Sequence, residues 1–104
     1  MEPLIIATNG SVAAIDPSSG VVLWQTRLDT GALISATSGQ DVAVLVRGGS
    51  VFAGGAGHLF CLNTQDGSIL WHNSLKGMGH NDISMAIEGV AVQYLQKVVR
   101  QNST

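Results

Sequence analysis

Apolar residues along the chain come in short runs that end at glycine, asparagine or aspartate. The first run, 4–8, leads into Asn9-Gly10, a dipeptide that favours a two-residue hairpin turn. The next run, 11–15, ends in the segment 16–20, where an aspartate and a terminal glycine are typical of a tight reversal. This pattern predicts antiparallel hairpins of short strands.

The same alternation of apolar runs and turns continues through most of the sequence. The glycine-rich stretch 54–57 is interpreted as a turn, because glycine adopts the positive φ angles that turns require. Short runs rich in β-branched and aromatic residues favour strands. The predicted strands are 4–8, 11–15, 21–26, 42–46, 50–53, 58–62 and 68–73.

The C-terminal stretch allows two interpretations. A helix would place five apolar residues on one face, whereas a strand would alternate three apolar residues in the segment 89–94. The strand is favoured, with fraying after Lys97. The helical set is Ile87, Ala91, Tyr94, Leu95 and Val98, and the alternating set is Val90, Val92 and Tyr94.

An internal repeat covers nearly the whole chain, since residues 15–24 align with residues 62–71 at an offset of 47. Both tryptophans and several glycines coincide in this register, and the segment 89–94 aligns with 41–46. The repeat predicts one domain, 1–104, with two units of about 4–49 and 50–97 and a tail at 98–104. The coinciding pairs are Gly10 with Gly57, Gly20 with Gly67, and Trp24 with Trp71.

The length of the repeat favours one architecture. Four-stranded propeller blades take roughly 40–50 residues, whereas leucine-rich, ankyrin and TPR units take roughly 20–35. A unit this small cannot cover its own apolar faces, so the units must pack against neighbours. The predicted fold is all-β, with two tandem antiparallel blades that complete a propeller by homo-oligomerisation. A compact two-sheet sandwich is the alternative architecture.

Composition excludes several classes of function. Hydrophobic residues make up 45% of the chain and charged residues 12%, at a net charge of −2, which argues against disorder and against binding to nucleic acid or anionic membranes. The single cysteine, Cys61, lies in a predicted strand interior and is expected to be buried and reduced. Neither a signal peptide nor a membrane-spanning run is recognised, so the expected compartment is the cytoplasm.

No residue pattern predicts catalysis, a cofactor or a metal ion. The histidines at 58, 72 and 80 with Asp82 have no standard metal-ligand spacing, and the glycine clusters lack the lysine and helix of a phosphate loop. The most polar loop, 76–82, is the first place to look for binding, although a connection between blades is the favoured interpretation of it. Its candidate residues are Lys76, Met78, His80, Asn81 and Asp82.

Two segments, Gly10 to Trp24 and Gly57 to Trp71, resemble the repeat of PQQ-like (quinoprotein-like) β-propellers, Gly-x-Val-x-Ala-Ile-Asp-Pro-x-x-Gly-x-x-x-Trp. The second copy departs from the pattern by having Cys61-Leu62-Asn63 where the family has Ala-Leu-Asp. The resemblance implies that the tryptophan packs between adjacent blades and that the Asp-to-Gly segment is a turn between strands. The structural docking residues so implied are Trp24, Trp71, Gly20, Gly67, Asp16 and Asn63.

The resemblance also bears on function. Quinone-binding members carry a bound calcium, a catalytic aspartate and often adjacent cysteines, but this chain has one cysteine and few blades, so PQQ binding is not expected. Members close rings of about six to eight blades, which two repeats reach only with further copies. The leading hypothesis is a non-enzymatic interaction or scaffold module whose partners are copies of itself and another protein. The alternatives are a subunit or remnant of a quinoprotein-type oxidoreductase and a structural fragment of a longer propeller.

Overall fold

The computed structural model of the chain describes residues 2–28 and 42–93. Within these residues every regular element is a β-strand, so the all-β prediction is confirmed. The strands are β1 (Leu4–Thr8), β2 (Ser11–Ile15), β3 (Val22–Arg27), β4 (Ala43–Arg47), β5 (Ser50–Gly55), β6 (His58–Asn63), β7 (Ile69–Asn73), β8 (Met85–Ile87) and β9 (Val90–Gln93).

The strands form three antiparallel sheets in which neighbours in sequence are neighbours in space. Sheet 1 has the order β1-β2-β3, sheet 2 the order β4-β5-β6-β7, and sheet 3 pairs β8 with β9. Sheets 1 and 2 are up-and-down meanders, the arrangement of propeller blades. The strand interpretation of the C-terminal stretch is confirmed for Val90–Gln93, and the predictions for residue 94 onward, including the tail 98–104, lie outside the described residues.

Sheets 1 and 2 repeat each other in detail. Leu4 pairs with Ile15 in sheet 1, and their counterparts Val51 and Leu62 pair in sheet 2. The register of the next pairing shifts between Ala14 and Ile15, and at the equivalent position, between Cys61 and Leu62, in sheet 2. Such bulges insert one residue and bend the strand. The sequence repeat is therefore a structural repeat.

The glycine-rich stretch 54–57 is only partly a turn, which corrects the sequence interpretation. Gly54 and Gly55 belong to β5, and the turn consists of Ala56 and Gly57 at φ 52° and 82°. Gly54 lies in the strand because a neighbour packs onto its backbone: a Cβ there would lie 3.0 Å from Cγ2 of Ile83. Glycine in a strand often marks such a close approach.

The boundaries of the sheets differ by one strand from those of the sequence repeats, because sheet 2 begins one strand before the second repeat. β4 pairs with β5, so the repeat boundary near residue 49 falls inside the β4–β5 hairpin. Among the described residues, sheet 1 therefore has no strand in the position that β4 holds beside β5. The β8–β9 hairpin repeats the β4–β5 hairpin, so β9 corresponds to β5, whereas the sequence alignment had paired 89–94 with 41–46.

The hydrophobic core lies between sheets 1 and 2. Strands β2, β5 and β6 supply most of it, and the partly buried Trp24 packs against its edge. Cys61 is buried and free, as predicted. This core fixes sheet 1 against sheet 2 and so positions Trp24 of sheet 1 against sheet 2. The cluster consists of Val12, Leu28, Val42, Val51, Ala53, Phe60 and Leu62.

Candidate docking surface

The turn between β6 and β7, residues 63–67, is built by its asparagine and its glycine. The Gly67 N–H donates to the carbonyl of Asn63 at 2.8 Å, and the Gln65 N–H donates to Asn63 Oδ1 at 2.8 Å. Gly67 has φ 78°, a left-handed conformation that favours glycine. The turn consequently holds its remaining carbonyl groups in fixed directions.

Trp24 of sheet 1 docks on this turn of sheet 2. Its Nε1–H donates to the carbonyl of Thr64 at 2.8 Å, and the hydroxyl of Thr26, also on β3, donates to the carbonyl of Gly67 at 2.6 Å. The indole lies so close that a Cβ on Gly67 would be 2.6 Å from its Cδ2 atom. Glycine is thus required at position 67 both by the φ angle and by the indole, and this contact joins sheets 1 and 2.

The turn between β2 and β3, residues 16–20, has the same geometry. The Gly20 N–H donates to the carbonyl of Asp16 at 2.7 Å, the Ser18 N–H donates to Asp16 Oδ1 at 2.8 Å, and Gly20 has φ 80°. Among residues 2–28 and 42–93, however, no atom would lie within 4 Å of a Cβ on Gly20. Within these residues no tryptophan lies on this turn, and its Ser18 makes a further interaction in the structure.

Trp71 is the counterpart of Trp24, and 44% of its surface is exposed. Its ring lies 6.2 Å from that of Phe52 and borders an apolar cavity of about 240 Å³. Within residues 2–28 and 42–93, no carbonyl accepts a hydrogen bond from its Nε1. Trp71 therefore has a side wall but no docking turn. The wall consists of Leu45, Phe52, Leu59, Met85, Ala86 and Ile87.

The outer strands of both sheets carry exposed apolar side chains. Val22 and Leu23 on β3 and Leu70 on β7 are each more than half exposed. Unpaired strand edges with apolar side chains favour pairing with another chain. Large exposed apolar patches commonly mark interaction surfaces, so these edges are a candidate interaction surface separate from Trp71 and its side wall.

A family model described as outer membrane protein assembly factor BamB, built of PQQ-type repeats, matches residues 8–102. The chain belongs to this PQQ-like repeat family. The match includes both tryptophan-bearing units, in agreement with the repeated sheets. Among curated proteins, no significant match to the chain is found.

Some of the predicted docking residues of the two PQQ-like repeats make the docking contact within the chain and are called occupied. The others do not make it within the described residues and are called open. Trp24 meets the Asn63–Gly67 turn, whereas Trp71 and the Asp16–Gly20 turn meet no equivalent partner within the described residues. Sequence comparison showed that the residues are equivalent. It could not show which of them are occupied, because occupancy depends on how many sheets pack together.

The predicted binding loop, 76–82, packs over the β5–β6 turn. A Cβ on Gly57 would collide with the carbonyl oxygen of Gly79, so the two backbones lie in direct contact. Lys76, Met78 and the residues from His80 to Asp82 are exposed. The loop is therefore held at its base by backbone packing while its polar side chains face outward.

The sequence patterns missed one contact, between two histidines. His58, only 4% exposed at the start of β6, places its Nδ1 at 3.1 Å from Nε2 of His72 on β7. The His72 ring also stacks on Phe60, with ring centres 4.7 Å apart. Strand register explains the contact, since Phe60 pairs with His72 and His58 lies two residues away on the same face.

The electrostatics of the pair follow from its surroundings. Burial lowers the pKa of His58 below the ordinary 6.5, and the charges of His72 and His80 lower it further. Among the residues that the structure describes, no three His, Cys, Asp or Glu side chains are arranged to hold a metal ion. Within those same residues, no helix is long and apolar enough to cross a membrane.

Proposed function

We propose that this protein is a non-enzymatic interaction and scaffold module of the PQQ-like repeat type that assembles with copies of itself. The supporting observation is the contact of Trp24 with the 63–67 turn, together with the open counterparts of both halves of that contact. Within the described residues, the indole of Trp71 donates no hydrogen bond and no tryptophan lies on the 16–20 turn. Head-to-tail association joins them.

The contact between copies can be specified from the contact within the chain. By the repeat, Trp71 Nε1 donates to the carbonyl of Pro17 in the second copy, as Trp24 donates to Thr64. Asn73 takes the place of Thr26 and donates through its side-chain amide to the carbonyl of Gly20. Proline lacks a backbone N–H but keeps its carbonyl, so Pro17 does not prevent this bond.

Strand order determines how the second copy enters. β1 and β9 both correspond to β5, so both compete for the position beside β8. In the proposed assembly β1 of the second copy replaces β9 there, which completes a four-stranded sheet from β8 and the second copy's sheet 1. The β8–β9 pairing is short and irregular in register, and this favours the exchange. Repetition of the step closes a ring or extends a filament, according to the rotation between copies.

A size measurement tests the proposal. Light scattering across a concentration series is expected to show masses that rise from the 10.8 kDa monomer to discrete multiples. Trp71→Ala removes the indole, and a buried interface tryptophan commonly contributes at least about 2 kcal/mol, so association should weaken about thirtyfold or more. A wild-type protein that remains 10.8 kDa at every concentration contradicts the proposal.

Leu70→Ser is the matched control, because Leu70 is a neighbour on β7 and is 54% exposed. It removes exposed apolar surface and keeps the indole. We expect its association to be close to that of the wild type. An equal loss in both variants would indicate unspecific adhesion of apolar edges instead of a docked tryptophan.

The scaffold role leaves the loop 76–82 available for a further protein partner, since its polar side chains face outward.

We also propose the cytoplasm as the compartment of the protein. A single free cysteine, Cys61, is compatible with a reducing environment. Fractionation of cells that express the tagged chain tests the second proposal, and recovery in another compartment would contradict it.

A further inference from the structure

A cavity of about 480 Å³ lies between the start of β6 and the loop that follows β7. This volume is within the range of small-molecule sites, roughly 300–1,000 Å³. The buried His58 forms its inner end, and the loop forms its rim. The lining residues are His58, Ser74, Leu75, Lys76, Gly77, Gly79 and His80.

The polar side chains of this cavity are all able to donate protons or carry positive charge. They are two imidazoles, one ammonium and one hydroxyl, and the lining contains no carboxylate. The one carboxylate in the loop 74–82 is Asp82, which already makes its own interaction in the structure. A cavity with such a lining attracts an anion.

The rim also exposes backbone to the cavity. Gly77 and Gly79 have φ 84° and 87°, and a Cβ at either position would meet open space. Loops with left-handed residues can turn their N–H groups toward one point and so bind anions. The absence of side chains at these two positions lets an oxyanion approach the main chain.

Behind the cavity, the hydrogen bond between His58 and His72 limits how the imidazoles take up protons. One nitrogen must donate and the other accept, so the 3.1 Å bond holds only while the accepting nitrogen has no proton. Further protonation places like charges next to each other, with the His80 and Lys76 side chains of the loop nearby. An anion in the cavity relieves that repulsion.

Among residues 2–28 and 42–93, the elements around the cavity supply no competing negative charge. β5 and the β5–β6 turn contain no ionisable residue, and Cys61 of β6 lies on the opposite face of the strand from His58. The described groups nearest the pair are therefore His80 and Lys76, with Asp82 at the far end of the loop. The balance of charge around the cavity favours an anion.

We propose that the cavity between His58 and the loop 74–80 binds a small oxyanion, a carboxylate or phosphate group, and takes up a proton on the histidine pair as it does so. The anion accepts hydrogen bonds from the imidazoles, from Lys76 and from the glycine N–H groups of the rim. Binding is consequently tighter at lower pH.

Titration of the full chain with inorganic phosphate, followed by NMR of the backbone amides at constant ionic strength, tests this proposal. We expect shifts at Gly77 and Gly79, with an affinity at least about tenfold weaker at pH 8 than at pH 6, because one linked proton changes affinity about tenfold per pH unit. A parallel titration with acetate separates carboxylate binding from phosphate binding. No saturable shift at 50 mM of either anion, or an affinity independent of pH, overturns the proposal.

His72→Phe removes the nitrogen of the pair and keeps a ring against Phe60. Because it removes one of the two imidazole charges that lower the pKa of His58, the pH dependence of the affinity is expected to move to higher pH. Lys76→Gln, an exposed change that does not endanger folding, is expected to weaken binding severalfold while the pH dependence remains. Arg27→Gln removes one positive charge from sheet 1 as the matched control. An equal loss in Arg27→Gln and Lys76→Gln would show that net charge alone attracts the anion, which also overturns the proposal.

Discussion

At the residue scale, Gly20 and Gly67 are equivalent glycines in two different environments. Comparing them shows how the environment changes the cost of adding a side chain. Both have φ near 80°, so replacement by alanine strains both backbones by about 1–2 kcal/mol. Only Gly67 has the indole of Trp24 and the Thr26 hydroxyl against it. The environment of each glycine, and not its turn type, should decide how much a side chain costs.

Gly67→Ala is therefore expected to lower the free energy of unfolding by at least about 2 kcal/mol more than Gly20→Ala, since it also displaces the indole. Urea denaturation at a concentration where the chain is monomeric measures the difference. Equal losses in the two variants would mean that Trp24 does not dock on Gly67.

His58 makes stability depend on pH. Its pKa is lowered in the folded state by burial and by His72 and His80, so between that value and 6.5 the unfolded chain binds more protons than the folded one. The contribution of His58 to the free energy of unfolding is complete above about pH 6.5 and is lost as the pH falls below that value. Asp66, whose pKa is lowered from 3.8 by hydrogen bonds from Ser68, acts only at more acidic pH.

We expect the melting temperature of the wild type to be lower at pH 5 than at pH 8. The decrease should be smaller in His58→Gln. Melting curves at four pH values within this range check the expectation. If the variant keeps the full pH dependence, the protons are bound elsewhere. The His58–His72 contact itself was not predictable from sequence, because the two residues, 14 positions apart in the chain, come together only through strand register.

At the scale of elements, the strands were predictable and their grouping was not. Local signals sufficed for β1 to β3, because the Asn9-Gly10 and 16–20 turns have characteristic residues. The assignment of β4 to sheet 2 depends on pairing across the Gly48-Gly49 turn. A sequence repeat shows which residues are equivalent, but it does not show at which strand a sheet begins.

The two tryptophans should differ in their effect on stability. Trp24→Ala removes a partly buried indole and its 2.8 Å bond to Thr64 and is expected to cost about 2–4 kcal/mol. Trp71→Ala, at 44% exposure, is expected to cost about 1 kcal/mol or less in the monomer. Urea denaturation of both variants at low concentration measures the contrast, and a larger loss for Trp71→Ala would contradict the occupied and open assignment.

At the scale of the whole molecule, the two sheets carry matching halves of one contact, and this supports the proposed association. The family resemblance was evident from the Gly10–Trp24 and Gly57–Trp71 segments and agrees with the family match over residues 8–102. Which docking site is open emerged only from packing, since Gly67 is covered and Gly20 is not. Association, in this account, repeats between copies what sheets 1 and 2 already do within one chain.

Hydrogen exchange of the two indole N–H groups, followed by NMR at low and high protein concentration, tests this claim most directly. The Trp24 signal should exchange slowly at both concentrations, because Thr64 holds its N–H. The Trp71 signal should exchange rapidly in dilute solution and slowly in concentrated solution, when Pro17 of another copy accepts its N–H. A Trp71 signal that stays rapid at high concentration, or a Trp24 signal that is rapid throughout, would contradict the account.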